Sequence, residues 1–172
     1  MTEEERASYA AWFEHARPLL EGGQFGEALR DVPRLDFEPA QPRRLGRPLA
    51  ASTIALITSA GLSAPGQPPM DGPNVEGDYT IRELSTGLNA GSLVITHTHF
   101  DHSAAEQDIN VVYPIDRLKE LASEGEIGRV AGSAVSFMGY FSNIFRIRDE
   151  VAPAVIETVR RSGADGALLV PV

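Results

Sequence analysis

The chain contains no cysteine in its 172 residues. Disulfides, cysteine-ligated zinc and a thiol nucleophile are therefore excluded within it. Lysine is almost missing as well: Lys119 is the single lysine among fifteen basic residues. Positive charge is outweighed throughout, giving a formal net charge of −9. Non-specific binding to nucleic acid or to an anionic membrane needs the opposite field, so neither partner is expected. No apolar run approaches the length of a bilayer span, and the acidic opening MTEEERAS is unlike a signal peptide. A cytoplasmic protein is the expectation.

What is present describes an ordinary globular protein. Hydrophobic residues make up 42% and charged residues 23%, and the length suits one domain with a real core. Residues 2–21 read as an amphipathic helix. Thr2 and Glu5 have capping-box spacing, and Tyr9, Trp12, Phe13, Ala16 and Leu20 fall on one stripe before Gly22-Gly23. A short second helix is expected over 24–30. Residues 31–50 carry Pro33, Pro39, Pro42 and Pro48 with Arg43, Arg44 and Arg47, which reads as an extended linker. The domain division expected is thus a helical arm and linker over 1–50, then an α/β domain over 51–172.

From residue 52 the texture changes. STIALIT is a continuous apolar, β-branched run that suits a strand buried on both faces. A loop rich in proline and glycine follows over 61–78. Strands are expected over 79–84 and 92–96, helices over 115–124 and 150–162, and a last buried strand over 166–172. Strands alternating with helices predict an α/β fold: three layers around a mainly parallel sheet, Rossmann- or flavodoxin-like, with an N-terminal helical extension. The turn after the first strand, Ser59-Ala60-Gly61-Leu62-Ser63-Ala64, has one glycine and does not spell a phosphate cradle.

The stretch VITHTHFDH, residues 94–102, holds three of the four histidines in the chain. His97, His99 and His102 with Asp101 are the candidate catalytic residues. A strand ending at a sheet's carboxyl edge delivers such side chains to a crevice, and imidazoles there serve as proton donors, acceptors or metal ligands. Asp101 is expected to orient a ring and hold its tautomer. The spelling H-x-H-x-D-H is that of the metallo-β-lactamase superfamily, but no histidine follows His102 to complete the first metal site. The residues name no cofactor with certainty. A divalent metal held by His97, His99 and His102 with an open position remains the alternative reading.

The surroundings of the histidines point elsewhere. His97–Asp101, then Asp108-Ile-Asn110-Val-Val-Tyr-Pro-Ile-Asp116-Arg117-Leu118, Glu126-Ile-Gly128 and Ser136-Phe137-Met138-Gly139 resemble the selenoprotein B-type subunit family of the glycine, sarcosine, betaine and D-proline reductases. The likeness spans roughly residues 45–172. It implies reductive cleavage of a carbon–nitrogen bond in a small amino acid or N-methylated amine, with the histidines and Asp101 at the reacting nitrogen. Asp108, Asn110, Ser136 and Met138 are then candidate substrate-binding residues; turn-capping for the first pair and core packing for Met138 are the alternatives.

In the family a selenocysteine or cysteine acts just beyond the strand corresponding to 167–172. This sequence reaches Val172 without one, so either a truncated chain or a homologue without the redox atom is expected; a binding or assembly role is the further alternative. An apolar final strand is an open edge unless a second chain covers it. Association with a copy of itself or with a partner subunit is therefore expected.

Overall fold

The computed structural model describes residues 2–33, 41 and 43–172; most of the stretch 34–42 within the expected linker lies outside the described residues. The amino-terminal helix α1 (Glu3–Glu21) has the cap that its sequence promised. The Glu5 N–H donates to the Thr2 hydroxyl at 3.2 Å, and the Thr2 N–H donates back to the Glu5 carboxylate at 2.8 Å. Glu3, Glu4 and Glu5 occupy the first turn, where the helix dipole favours negative charge. Tyr9, Trp12, Ala16 and Leu20 are buried against Ala28 of the short helix α2 (Phe25–Ala28) and against Phe145. These side chains form a cluster separate from the main core.

The central strand β1 (Thr53–Thr58) is buried at every position. The reason is that it has parallel neighbours on both sides, which leaves no residue facing water. Along one side runs β7 (Gly166–Val170), in register from Ile54↔Gly166 to Thr58↔Val170. The other side is shared by β5 (Arg129–Val130) and β6 (Ser133–Phe137), both parallel to β1. The register steps by two residues between Ile54↔Val130 and Ile57↔Val135, so Ala131-Gly132 forms a bulge that re-aims the chain. Strand β3 (Ile81–Ser85) then pairs antiparallel with β6.

The result is an α/β protein with a mixed, mostly parallel sheet. Two expectations are corrected. The final strand, expected to be buried, exposes Leu168 and Leu169 of β7, and the predicted strand over 92–96 is only β4 (Val94–Ile95). It pairs with β2 (Leu62–Ser63) in a separate two-stranded sheet rather than joining the main one. The Thr96 N–H continues that pairing, donating to the Gly61 carbonyl at 3.1 Å.

One face of the main sheet carries the core. Ile54, Leu56, Leu84 and Ala134 pack with Val112, Tyr113 and with Ile115 and Leu118 of α4 (Ile115–Ser123). The opposite face meets α6 (Ala152–Arg161), which packs on β6 and β3 and pairs Arg161 with Glu83. The two sheet edges differ. The outer side of β3 is engaged: Gln67 donates to the Glu83 carbonyl at 2.9 Å, and Arg82 binds the Pro68 carbonyl at 2.9 Å. The outer side of β7 has no strand partner among the described residues, and Leu168 and Leu169 are exposed there, the latter at 66%.

Candidate functional site at the carboxyl edge of the sheet

The histidines reach the carboxyl edge of the sheet, but by packing rather than by riding a strand into it. Gly61, just past β1, adopts φ +65°, and a methyl group on it would stand 3.0 Å from Cβ of His97. Only glycine suits both demands. Tyr140, just past β6, stacks its ring on His99 with centroids 3.7 Å apart and planes 6° from parallel. The loop is stitched further by Thr98, whose hydroxyl donates to the Gly72 carbonyl at 2.7 Å. Residues 97–102 are thus clamped between the ends of two parallel strands and the 61–78 loop.

Local hydrogen bonds set the protonation of each ring. The His99 N–H donates to His97 Nδ1 at 3.1 Å, so the neutral His97 ring carries its proton on Nε2. His97 is only 3% exposed, and its pKa falls to about 4 through burial first and then through the neighbouring His99 and His102. Burial also lowers the pKa of His99. Because the Thr98 hydroxyl spends its hydrogen on Gly72, it accepts from His99 Nδ1 at 3.1 Å. His99 Nε2 is left with a lone pair. His102 Nε2–H donates to the His97 carbonyl in a very short bond, which leaves its Nδ1 for other contacts.

These bonds bear on the candidate residues. The neutral His97 ring accepts at Nδ1 and keeps its proton on Nε2, while His99 donates from Nδ1 and keeps its lone pair on Nε2. Asp101 holds no ring: its carboxylate accepts from the Ser103 N–H at 2.9 Å, at the start of helix α3 (Ser103–Gln107), and that bond is the leading cause of its lowered pKa. Backbone groups and Thr98 perform the tautomer-setting task expected of it. For the metal alternative, among the described residues no group of three or more His, Asp or Glu side chains is placed to hold a metal ion, and His102 Nε2 is turned to the His97 carbonyl.

The candidate substrate-binding residues divide. Ser136 and Met138 have no exposed surface. The Ser136 hydroxyl accepts from the Leu62 N–H at 2.7 Å, tying β2 to β6, and Met138 fills the core beside it. Neither presents a surface to a ligand, since β6 is an interior strand. Asp108 and Asn110 are partly structural. Asp108 accepts from the Asn110 N–H at 2.9 Å, which together with the Asn110 amide lowers its pKa, and Asn110 accepts from the Asp116 N–H at 3.1 Å. Both nevertheless line an open cleft of about 800 Å³ together with His102, Glu106, Asp116 and Lys119, walled on the far side by residues 87–95. Tyr140 was not singled out in the sequence, and Thr98, Gly61 and Asp116, though inside quoted stretches, and Lys119, though noted as the single lysine, were given no role there.

A second, apolar hollow of about 350 Å³ lies at the ends of β1, β6 and β7, between Ile57, Phe137, Phe141 and Leu169.

A polar cleft and a clamped histidine loop beside the carboxyl edge of an α/β sheet stand where open α/β folds commonly bind ligands. More narrowly, the pattern of the glycine/sarcosine/betaine reductase selenoprotein B family matches residues 20–171, and the chain belongs to that family. It is 28% identical over 117 residues to the D-proline reductase subunit gamma of Acetoanaerobium sticklandii, covering 68% of this chain and 47% of that one. Identity is 26% over 142 residues to the glycine reductase complex component B subunit gamma of Carboxydothermus hydrogenoformans, covering 81% and 32%. It is 28% over 159 residues to the betaine reductase complex component B subunit beta of Peptoclostridium acidaminophilum, covering 87% and 34%. The chain therefore spans less than half the length of these relatives. No solved structure matches it. Among the described residues, no helix is long and apolar enough to cross a membrane.

Proposed function

We propose that this chain is the substrate-binding part of a reductase that cleaves a carbon–nitrogen bond in a small amino acid or N-methylated amine. The observation that supports it best is convergence: His102 of the histidine stretch lines one open cleft with Asp108 and Asn110, which fall within a motif that carries the family likeness. The cleft suits a zwitterion. Glu106, Asp108 and Asp116 offer negative charge to an ammonium group, while Lys119, the only lysine in the chain, offers the opposite charge to a carboxylate.

The carboxylates favour the cationic form of the substrate nitrogen. That form is the one that departs as a neutral amine when a nucleophile displaces it from carbon. His102, lining the same cleft, contacts the substrate and is the candidate catalytic residue. His97 and His99 position the loop beneath it. The sulfur or selenium nucleophile comes from outside these residues, since none of them is cysteine. The relatives are named as subunits of reductases or their complexes, and the same proposal places a partner subunit or second copy along the exposed edge of β7.

Calorimetric titration with glycine, sarcosine, betaine and D-proline tests the substrate reading. Saturable binding of at least one ligand is expected, weakened roughly tenfold in His102→Gln and in Lys119→Ala, as for loss of one charge-assisted contact. Absence of binding by all four, or binding indifferent to both substitutions, would overturn it.

A further inference from the structure

Aromatic rings hold the ring of His99 from two directions. Tyr140 covers one face, and Phe25 of α2 meets the ring edge-on at 5.2 Å with planes 88° apart. Phe25 is 39% exposed, so its contact with His99 is not a by-product of deep core packing. It is held there by the packing of α2 on α1.

The way α1 and α2 are fastened is specific. Trp12 Nε1–H donates to the Ala28 carbonyl at 3.0 Å, which binds α2 to α1. Arg17 pairs with Glu76 at 2.7 Å and Arg6 with Asp149 at 3.2 Å, both near the surface. Glu76 lies beside Val75, whose carbonyl accepts from the Tyr140 hydroxyl at 3.1 Å. The arm thus grips the very loop that anchors the ring stacked on His99. Its apolar side chains form their own cluster, joined to the rest through Phe145 and Ile144. Exposed ion pairs and one aromatic cluster are fastenings that open more readily than a shared core.

We propose that Phe25 is a positioning residue for His99, and that α1 and α2 together form a displaceable cover over that ring. With the cover closed, His99 Nε2 is shielded on its Phe25 side and the ring is fixed against Tyr140. With it open, a ligand or partner gains the lone pair. That role in ligand access rests on the substrate reading above, whereas ring accessibility depends on geometry alone, so the two fail separately.

The test is the rate of histidine carbethoxylation by diethyl pyrocarbonate in the full chain, resolved by peptide mass spectrometry against added N-acetylhistidine. Phe25→Ala and Arg17→Glu should each speed modification of His99 roughly three- to tenfold, the scale set by losing one aromatic contact or one exposed ion pair. The charge-swapped pair Arg17→Glu with Glu76→Arg should return the rate to that of the unaltered chain, an outcome that general loosening would not give. Unchanged His99 rates in both single variants would overturn the proposal. So would an equal acceleration at buried His97, or a swap that restores nothing.

Discussion

His97 and His102 sit five residues apart in one motif, yet the regions around them are opposites. His97 is buried and closely packed: Gly61 stands against its Cβ, the His99 N–H donates to its Nδ1, Phe100 meets its ring and the His102 ring donates to its carbonyl. Around His102 the wall is polar, open and rich in ionisable side chains. The difference teaches that a cluster of like residues need not be a cluster of like roles. The floor residues give the loop its shape at a cost in charge, and the rim residues keep their chemistry available to a ligand.

That division is sharpest where a substitution should damage one region and spare the other. Gly61→Ala should have the largest effect on stability, about 2–4 kcal/mol, because it combines a positive φ with a methyl group pressed on His97. Chemical denaturation measures it, and a loss under about 0.5 kcal/mol would break the floor assignment. Next comes pH. His97 has a lowered pKa in the folded chain, about 4 against 6.5 when unfolded, so the unfolded state takes up its proton first. The contribution of His97 is therefore present above pH 6.5 and drains away as pH falls toward 4, by on the order of 2–3 kcal/mol. In His97→Gln this part of the acid sensitivity should vanish; an identical pH profile in both chains would contradict it.

Smaller effects belong to the rim. Asn110→Ala removes the acceptor for the Asp116 N–H at the start of α4 and should cost about 1 kcal/mol, read by thermal unfolding. His102→Gln should change stability least, by under about 0.5 kcal/mol, since a glutamine amide can still donate to the His97 carbonyl. Its effect belongs to ligand binding instead. A large destabilisation by His102→Gln with unaltered binding would erase the contrast between the two histidines.

Much of this was legible in the sequence where the signal was local. The Thr2/Glu5 cap, the stripe of α1, the doubly buried β1 and the helices α4 and α6 all announce themselves by spacing. Strand β6 did not. Its Ser133-Ala134-Val135-Ser136-Phe137 lies between β1 and β3, and its two serines interrupt the apolar run by which an interior strand is recognised. Ser136 and Met138 lie buried there, and core packing was the stated alternative for Met138. The histidine motif named the rings but not the contacts that hold them, which come from Gly61, Tyr140 and Phe25. Those residues are remote in sequence and meet the rings only in the folded chain.

The central assignment is tested most directly by following the His102 ring and the Asn110 amide by NMR while glycine, sarcosine, betaine and D-proline are added in turn. Saturating shifts at both residues with one of these ligands, while the His97 ring stays still, are the expected result. Shifts absent from His102 and Asn110 with all four ligands would contradict it.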